Sequence, residues 1–140
     1  MKAADIPAGY SGKPLIIKLG IKPGFTICLI NPPDNYFRIL GELPKRVNIK
    51  KKLSGESDFI HFFTGNKKQY ISKIPTLKKH FAKNGMLWIS WPKKSSKIPT
   101  DLNENIIRAC ALENGLVDVK VCAIDKNWSG LKLVYRLKDR

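Results

Sequence analysis

The sequence predicts one α/β domain, a mainly parallel sheet with helices on both faces and an antiparallel hairpin at its C-terminal end. Three observations carry this expectation. The runs Phe25-Thr26-Ile27-Cys28-Leu29-Ile30, Asp58-Phe59-Ile60-His61-Phe62-Phe63-Thr64 and Met86-Leu87-Trp88-Ile89-Ser90-Trp91 have strand length and are too continuously apolar for half-exposed strands. Segments of helical period separate them, and strands alternating with helices pair in parallel through right-handed crossovers. The chain then finishes with two strands in succession, 116–124 and 131–137, joined by a turn from Asp125 to Gly130. A length of 140 residues fits a single core, so 1–140 is taken as one domain.

In chain order, residues 1–13 are rich in Gly and Ala and read as an irregular arm wrapped on the domain. Pro14 to Leu19 is a short helix with proline in its first turn and Gly20 as its stop. The first strand ends at Asn31-Pro32-Pro33, because proline cannot donate to a ladder. Asp34 is expected to cap a short helix, Asn35 to Leu40, closed by Gly41. Val47-Asn48-Ile49 is a second, short strand that runs into Lys50-Lys51-Lys52. From Asn66 to Lys83, Tyr70, Ile71, Ile74, Leu77 and Phe81 recur at helical spacing, with Pro75 opening a second helical piece and Asn84-Gly85 as the stop. Lys93 to Pro99 is a basic loop. Asp101 with Glu104 three residues on has the form of a capping box, opening a helix whose Leu102, Ile106, Ile107 and Cys110 make an apolar stripe ending at Gly115.

Charge is the unusual part of the composition: 26 Lys+Arg against 11 Asp+Glu, a net +15. That excess attracts nucleic acid, anionic lipid or acidic partners. Most of it lies between residues 43 and 100, and no acidic residue occurs from Phe59 to Thr100. Lysine dominates, however, and arginine is the residue suited to bidentate phosphate and guanine recognition. Tyr70 and Phe81 fall on the apolar stripe instead of interleaving with lysines as on a single-strand-binding surface. The expectation for nucleic acid is therefore weak, non-specific attraction. No membrane segment is expected, since the apolar core of the first strand, Ile27 to Ile30, is far short of the roughly 20 residues a spanning helix needs. The N-terminus lacks the apolar stretch of a signal peptide, which predicts a cytoplasmic protein. Cys28, Cys110 and Cys122 are odd in number, far apart and set in apolar runs, the pattern of buried reduced thiols.

In an open parallel sheet, ligands bind outside the carboxyl ends of the strands. That rule gathers Asn31, Thr64, Trp91, Lys93, Lys94, Ser95, Asp125, Trp128 and Ser129 on one rim as candidate ligand-binding residues. Trp91 and Trp128 equally suit covering the end of the sheet. Lys93 and Lys94, beside the N-terminus of the helix opened by Asp101, suit an anionic small molecule. Catalytic groups are sparse. His61, among phenylalanines, reads as a core residue and His80, in a lysine-rich helix, as solvent-facing, so no Ser-His-Asp arrangement forms at the rim. No His/Cys/carboxylate cluster has metal spacing. Gly9-Tyr10-Ser11-Gly12-Lys13-Pro14 has neither the glycine spacing nor the hydroxyl of a phosphate loop. No catalytic residue, metal or cofactor is assigned from the residues.

Leu19-Gly20-Ile21-Lys22-Pro23-Gly24 leading into a strand, Asp58-Phe59-Ile60 opening a later one, and Leu77 to Gly85 feeding Met86-Leu87-Trp88-Ile89 resemble the layout of class I S-adenosylmethionine-dependent methyltransferases. The resemblance implies a Rossmann-like sheet, shortened by about one strand-helix unit, with the last strand inserted antiparallel. The combination of Ala8-Gly9-Tyr10-Ser11-Gly12, Ser90-Trp91-Pro92-Lys93-Lys94, Pro99-Thr100-Asp101-Leu102, Val117 to Ala123 and Trp128-Ser129-Gly130 is also similar to a family of small bacterial proteins classed as a domain of unknown function, and implies no particular activity. Two departures bear on the cofactor. Methyltransferases follow the first strand with a glycine-rich loop, where this chain has Asn31-Pro32-Pro33-Asp34-Asn35, and end the second strand with a ribose-binding carboxylate, where it has Lys50-Lys51-Lys52. The sequence therefore favours a non-catalytic or anion-binding protein without a cofactor. Its alternatives are a non-specific nucleic-acid-binding basic protein and a divergent S-adenosylmethionine-dependent methyltransferase.

Overall fold

In the computed structural model, which describes residues 13–140, six strands make one sheet: β1 (Thr26–Ile30), β2 (Asn48–Lys50), β3 (Ser57–Phe63), β4 (Phe81–Pro92), β5 (Leu116–Ala123) and β6 (Trp128–Tyr135). Their spatial order is β2-β1-β3-β4-β6-β5. The first four pair in parallel, and β6 enters antiparallel between β4 and β5. This is the predicted architecture, with one reversed strand supplied by the terminal hairpin. The expected N-terminal arm, with Tyr10 and the Gly9 to Gly12 segment, lies outside the described residues.

The helices are α1 (Leu15–Leu19), α2 (Tyr36–Leu40), α3 (Lys67–His80) and α4 (Glu104–Glu113). Cys28, Ile60, Phe62, Leu87, Ile89 and Leu131 meet Tyr70, Ile74 and Leu77 of α3 and Ile107, Cys110 and Ala111 of α4 on one face. Ile27, Leu29, Phe59, Phe63 and Trp88 meet α1 and α2 on the other. Both faces of β1, β3 and β4 are covered, which is why their sequences are apolar at odd and even positions alike. Each large side chain so buried contributes roughly 1.5–3 kcal/mol relative to exposure. The indole Nε1–H of Trp88 donates to Leu19 O at 3.0 Å, fastening the end of α1 to the centre of the sheet.

Several boundaries differ from expectation. The helix that begins after Asn66 is continuous through Pro75 and stops at His80. Pro75 leaves the carbonyl of Ile71 without its helical donor, and both residues are exposed, where the helix tolerates that loss best. Phe81, expected on the helix, starts β4 and pairs with Ser57, and its ring packs on Tyr135 with centroids 4.7 Å apart. The register between β3 and β4 then slips across Lys83 to Gly85. Gly85 therefore acts inside a strand, where a Cβ would lie 2.6 Å from Asp58 O.

The caps also differ. Asn103, not Asp101, caps α4, its side chain accepting from Ile106 N at 2.9 Å. Asp101 reaches across to accept from Lys67 N at 2.7 Å and so supports the start of α3. Asn35, not Asp34, precedes α2, and it makes no side-chain cap. His80 is half-buried, its Nδ1–H donating to Gly55 O at 2.7 Å, so it closes the loop before β3 instead of facing water freely. That loop, residues 51–56, joins β2 to β3 without a helix, and here the expected strand-helix unit is missing. Leu53 packs into the core beneath it and the Cys28 thiol donates to Lys52 O at 3.6 Å. All three cysteines are free, with Cys122 only half-buried, and burial raises each thiol above its ordinary pKa.

Candidate functional site

The carboxyl ends of β1, β3 and β4 and the amino end of β6 line up as one rim because the first three strands are parallel and β6 is reversed. Neighbouring positions touch in sequence. Asn31 Nδ2 donates to Phe63 O at 3.5 Å, Thr64 N donates to Ser90 O at 3.0 Å, Trp91 pairs with Ser129, and Lys93 N donates to Asn127 O at 2.8 Å. The structure thus brings Asn31, Thr64, Trp91, Lys93, Asp125, Trp128 and Ser129 together along one edge, while Lys94 and Ser95 stand exposed on a 3-10 turn beyond it.

Most of these side chains have structural partners. Thr64 is buried, its hydroxyl donating to Gln69 Oε1 while accepting from Asn66 N at 3.1 Å. Trp91 belongs to the core on the α3 and α4 face, and Trp128 stands edge-on to Phe63 with centroids 5.1 Å apart. Both tryptophans therefore cover the end of the sheet. Asp125 is buried and its Oδ1 accepts from Asn127 N at 2.8 Å and Trp128 N at 2.9 Å, a turn held by a side chain in place of backbone. Asp125→Ala leaves those two donors unpaired, and a loss of about 1–2 kcal/mol is expected. Thermal unfolding checks the size, and faster amide exchange confined to Asn127 and Trp128 checks the cause. Burial holds the Lys93 ammonium below the ordinary lysine range, Asp125 opposing that shift and Lys18 adding to it.

The β1 end of the rim is different. Asn31 is exposed and sits in the left-handed region at φ 55°, directly where β1 stops. Pro32 and Asp34 are exposed beside it. The sequence gives Asp34 the role of a cap; in the structure Asn35 holds that position and Asp34 is exposed in the turn after β1. On the far side of β1, Lys50 Nζ donates to Ser54 O at 2.7 Å, so the lysine that replaces a carboxylate is tied back onto its own loop.

Beneath the rim lies a polar chain that sequence reasoning did not find. His61 is wholly buried, its Nδ1 2.9 Å from Tyr36 Oη and its Nε2 2.7 Å from Ser90 Oγ. Desolvation lowers its pKa to about 3. The ring is neutral, with one nitrogen donating and the other accepting, and it is enclosed by Tyr36, Phe59, Phe63 and Trp88. Sealed in this way it touches no solvent-facing substrate, in keeping with its reading as a core residue. Among the described residues no group of three His, Cys, Asp or Glu could hold a metal, and no helix is long and apolar enough to cross a membrane.

No protein-family model and no curated protein matches this sequence. Solved structures match it in shape. A SAM dependent methyltransferase from Aquifex aeolicus superposes with a TM-score of 0.63 at 13% identity, over 92% of this chain and 90% of its own. Magnesium protoporphyrin IX methyltransferase from Synechocystis PCC 6803 with bound SAM gives 0.61 at 13% identity, over 87% of this chain and 75% of its own. Ribosomal protein L11 methylase from Lactobacillus delbrueckii subsp. bulgaricus gives 0.53 at 14%, over 86% and 74%. The molecules bound in the Synechocystis enzyme are SAM and, in a second structure, SAH.

These comparisons correct the partner expectation. The Synechocystis enzyme binds SAM and SAH, small molecules that are not clearly anionic. Two of the amides beside Lys93 and Lys94 are already engaged, Leu102 N donating to Thr100 Oγ1 and Ile106 N to Asn103 Oδ1. Part of the lysine excess rests on the protein's own rings, Lys73 over Phe62 and Lys83 over Tyr135. With its sheet order, its single reversed strand and these structural neighbours, the chain has the class I methyltransferase-like Rossmann fold.

Proposed function

We propose that the protein is a divergent S-adenosylmethionine-dependent methyltransferase that takes its cofactor at the β1 and β3 end of the rim. The turn at Asn31 carries this reading. The chain leaves β1 for β2 on one side and returns to β3 on the other, so the loops after β1 and β3 part at a topological switch point, the position where α/β sheets bind ligands. A residue other than glycine with positive φ at such a point is strained by about 1–3 kcal/mol, and strain of this kind concentrates at ligand sites. Asparagine tolerates the left-handed turn better than other side chains, which gives a glycine-free loop the bend that a cofactor needs.

The polar groups fit in part. Asn31 offers an exposed amide and Asp34 an exposed carboxylate, which replaces the second-strand carboxylate as acceptor for ribose hydroxyls. The turn from Thr64 to Asn66 follows β3 beside Asn31, whose Nδ2 donates to Phe63 O. Bound there, S-adenosylmethionine supplies an electrophilic methyl group. Lys93, which follows β4 on the rim and is partly buried, would first have to give up its own proton to accept one from a methyl acceptor, and burial favours that loss. Calorimetry with S-adenosylmethionine is expected to give one site per chain, weakened about tenfold in Asp34→Asn. Absence of heat at millimolar cofactor contradicts the proposal.

A further inference from the structure

At the opposite end of the sheet from the rim, a cavity of about 330 Å³ opens on the α1 face. Lys83, Lys132 and Arg140 line it above Met86, Val119 and Val134, and no Asp or Glu does so among the described residues. Burial, with Lys120 and Lys22 nearby, lowers the pKa of Lys132, so like charges are crowded there without a counter-charge.

The cavity borders an unguarded strand. β5 is the last strand of the sheet, and among the described residues nothing pairs with its outer edge. Val119 and Val121 are 53% and 48% exposed on it. Edge strands are normally blunted by an outward lysine. Lys120 does not serve that purpose, because its ammonium donates to Lys18 O at 2.9 Å and is held against α1. The register slip at Val119 sets Lys120 opposite Lys132 on the cavity face, while Val121 lies opposite Leu131 on the other face. A strand added to this edge would meet cations on one face and an aliphatic side chain on the other. A second copy of the chain would bring the same cations to the junction against a net charge of +15.

We propose that the outer edge of β5 and the adjoining cationic cavity form a docking site for an extended segment of a partner protein in which Asp or Glu alternates with aliphatic residues. Main-chain pairing supplies affinity, and the alternation supplies specificity, carboxylates reaching toward Lys132 and aliphatic groups meeting Val121.

A fluorescent synthetic peptide alternating Glu with Val, titrated into the full chain at physiological salt, tests this. Saturable binding is expected. It should weaken at least about tenfold when alternate peptide nitrogens are methylated, when Glu is replaced by Gln, and in Lys132→Glu, whose binding of S-adenosylmethionine stays as in the wild type. The methylated peptide on the wild-type chain keeps the test valid even if Lys132→Glu does not fold. Equal affinity of the methylated peptide overturns the proposal, as does equally tight duplex DNA binding with the same loss in Lys132→Glu, since either means general polyanion attraction. A concentration-dependent dimer that Val121→Glu abolishes assigns the edge to a second copy and overturns it too.

Discussion

His61→Ala is expected to lower stability by about 4 kcal/mol, a large share of the roughly 5–15 kcal/mol by which a domain is stable. Two effects combine. Truncation removes a ring stacked on Phe63 at 4.2 Å between centroids and leaves a void among Tyr36, Phe59 and Trp88. It also strips the partner from two buried hydroxyls, those of Tyr36 and Ser90, at about 1–3 kcal/mol each when nothing replaces it. His61→Phe fills the void and separates the two effects, since it still strands both hydroxyls. Adding Tyr36→Phe and Ser90→Ala to His61→Phe removes the stranded groups, so part of the loss returns. Urea unfolding of the series measures each step, and additivity among the three contradicts a shared network.

The same histidine sets an acid limit. Its folded pKa of about 3 lies below the 6.5 of an unfolded histidine, so the unfolded chain binds the proton first. Its titration does not alter stability above about pH 6.5, where both states hold it neutral. Below that, stability falls with decreasing pH at up to about 1.4 kcal/mol per unit, until pH approaches 3. In His61→Phe that slope is expected to be reduced over the same window, which pH-dependent unfolding checks.

Gly85→Ala is the second large effect, expected at about 3 kcal/mol. The new Cβ would sit 2.6 Å from Asp58 O and 3.1 Å from Ala82 O, both backbone atoms that cannot turn aside. β3 and β4 must part at the register slip, disturbing the bond from Thr26 N to Asp58 Oδ2 at 2.8 Å that ties β1 to β3. Gly24→Ala is the control. Gly24 has positive φ, which Gly85 does not, and a Cβ there meets nothing within 4 Å, so it carries only the left-handed penalty of about 1–2 kcal/mol. Equal losses at the two sites contradict the close-approach account of Gly85.

The central strands and their parallel order were legible because burial on both faces leaves a continuous apolar signature in Ile27 to Ile30, Phe59 to Phe63 and Leu87 to Trp91. Local periodicity could not tell Phe81 on a helix from Phe81 on a strand, since the residue is apolar in either setting and pairing with Ser57 decides it. Capping was misjudged at Asp101 for a related reason. Asp101 and Asn103 both have side chains that can cap, and the choice depends on Lys67, distant in sequence. The rim was legible from topology, which brings Asn31, Thr64, Trp91 and Trp128 to one edge. What sequence could not supply was side-chain occupancy: Thr64 and Asp125 look like free polar groups until Gln69, Asn127 and Trp128 are found bonded to them. The cavity beside β5 draws on four separate segments, and no local pattern announces it.

Amide shift mapping of the isotope-labelled chain with S-adenosylhomocysteine tests the proposed function most directly, because it reports occupancy and place together. The account predicts saturable changes at Asn31, Asp34, Asn35 and the Thr64 to Asn66 turn, with Gly85, Val119 and Lys132 unmoved. Unchanged spectra at millimolar ligand, or changes confined to the cavity beside β5, would contradict it.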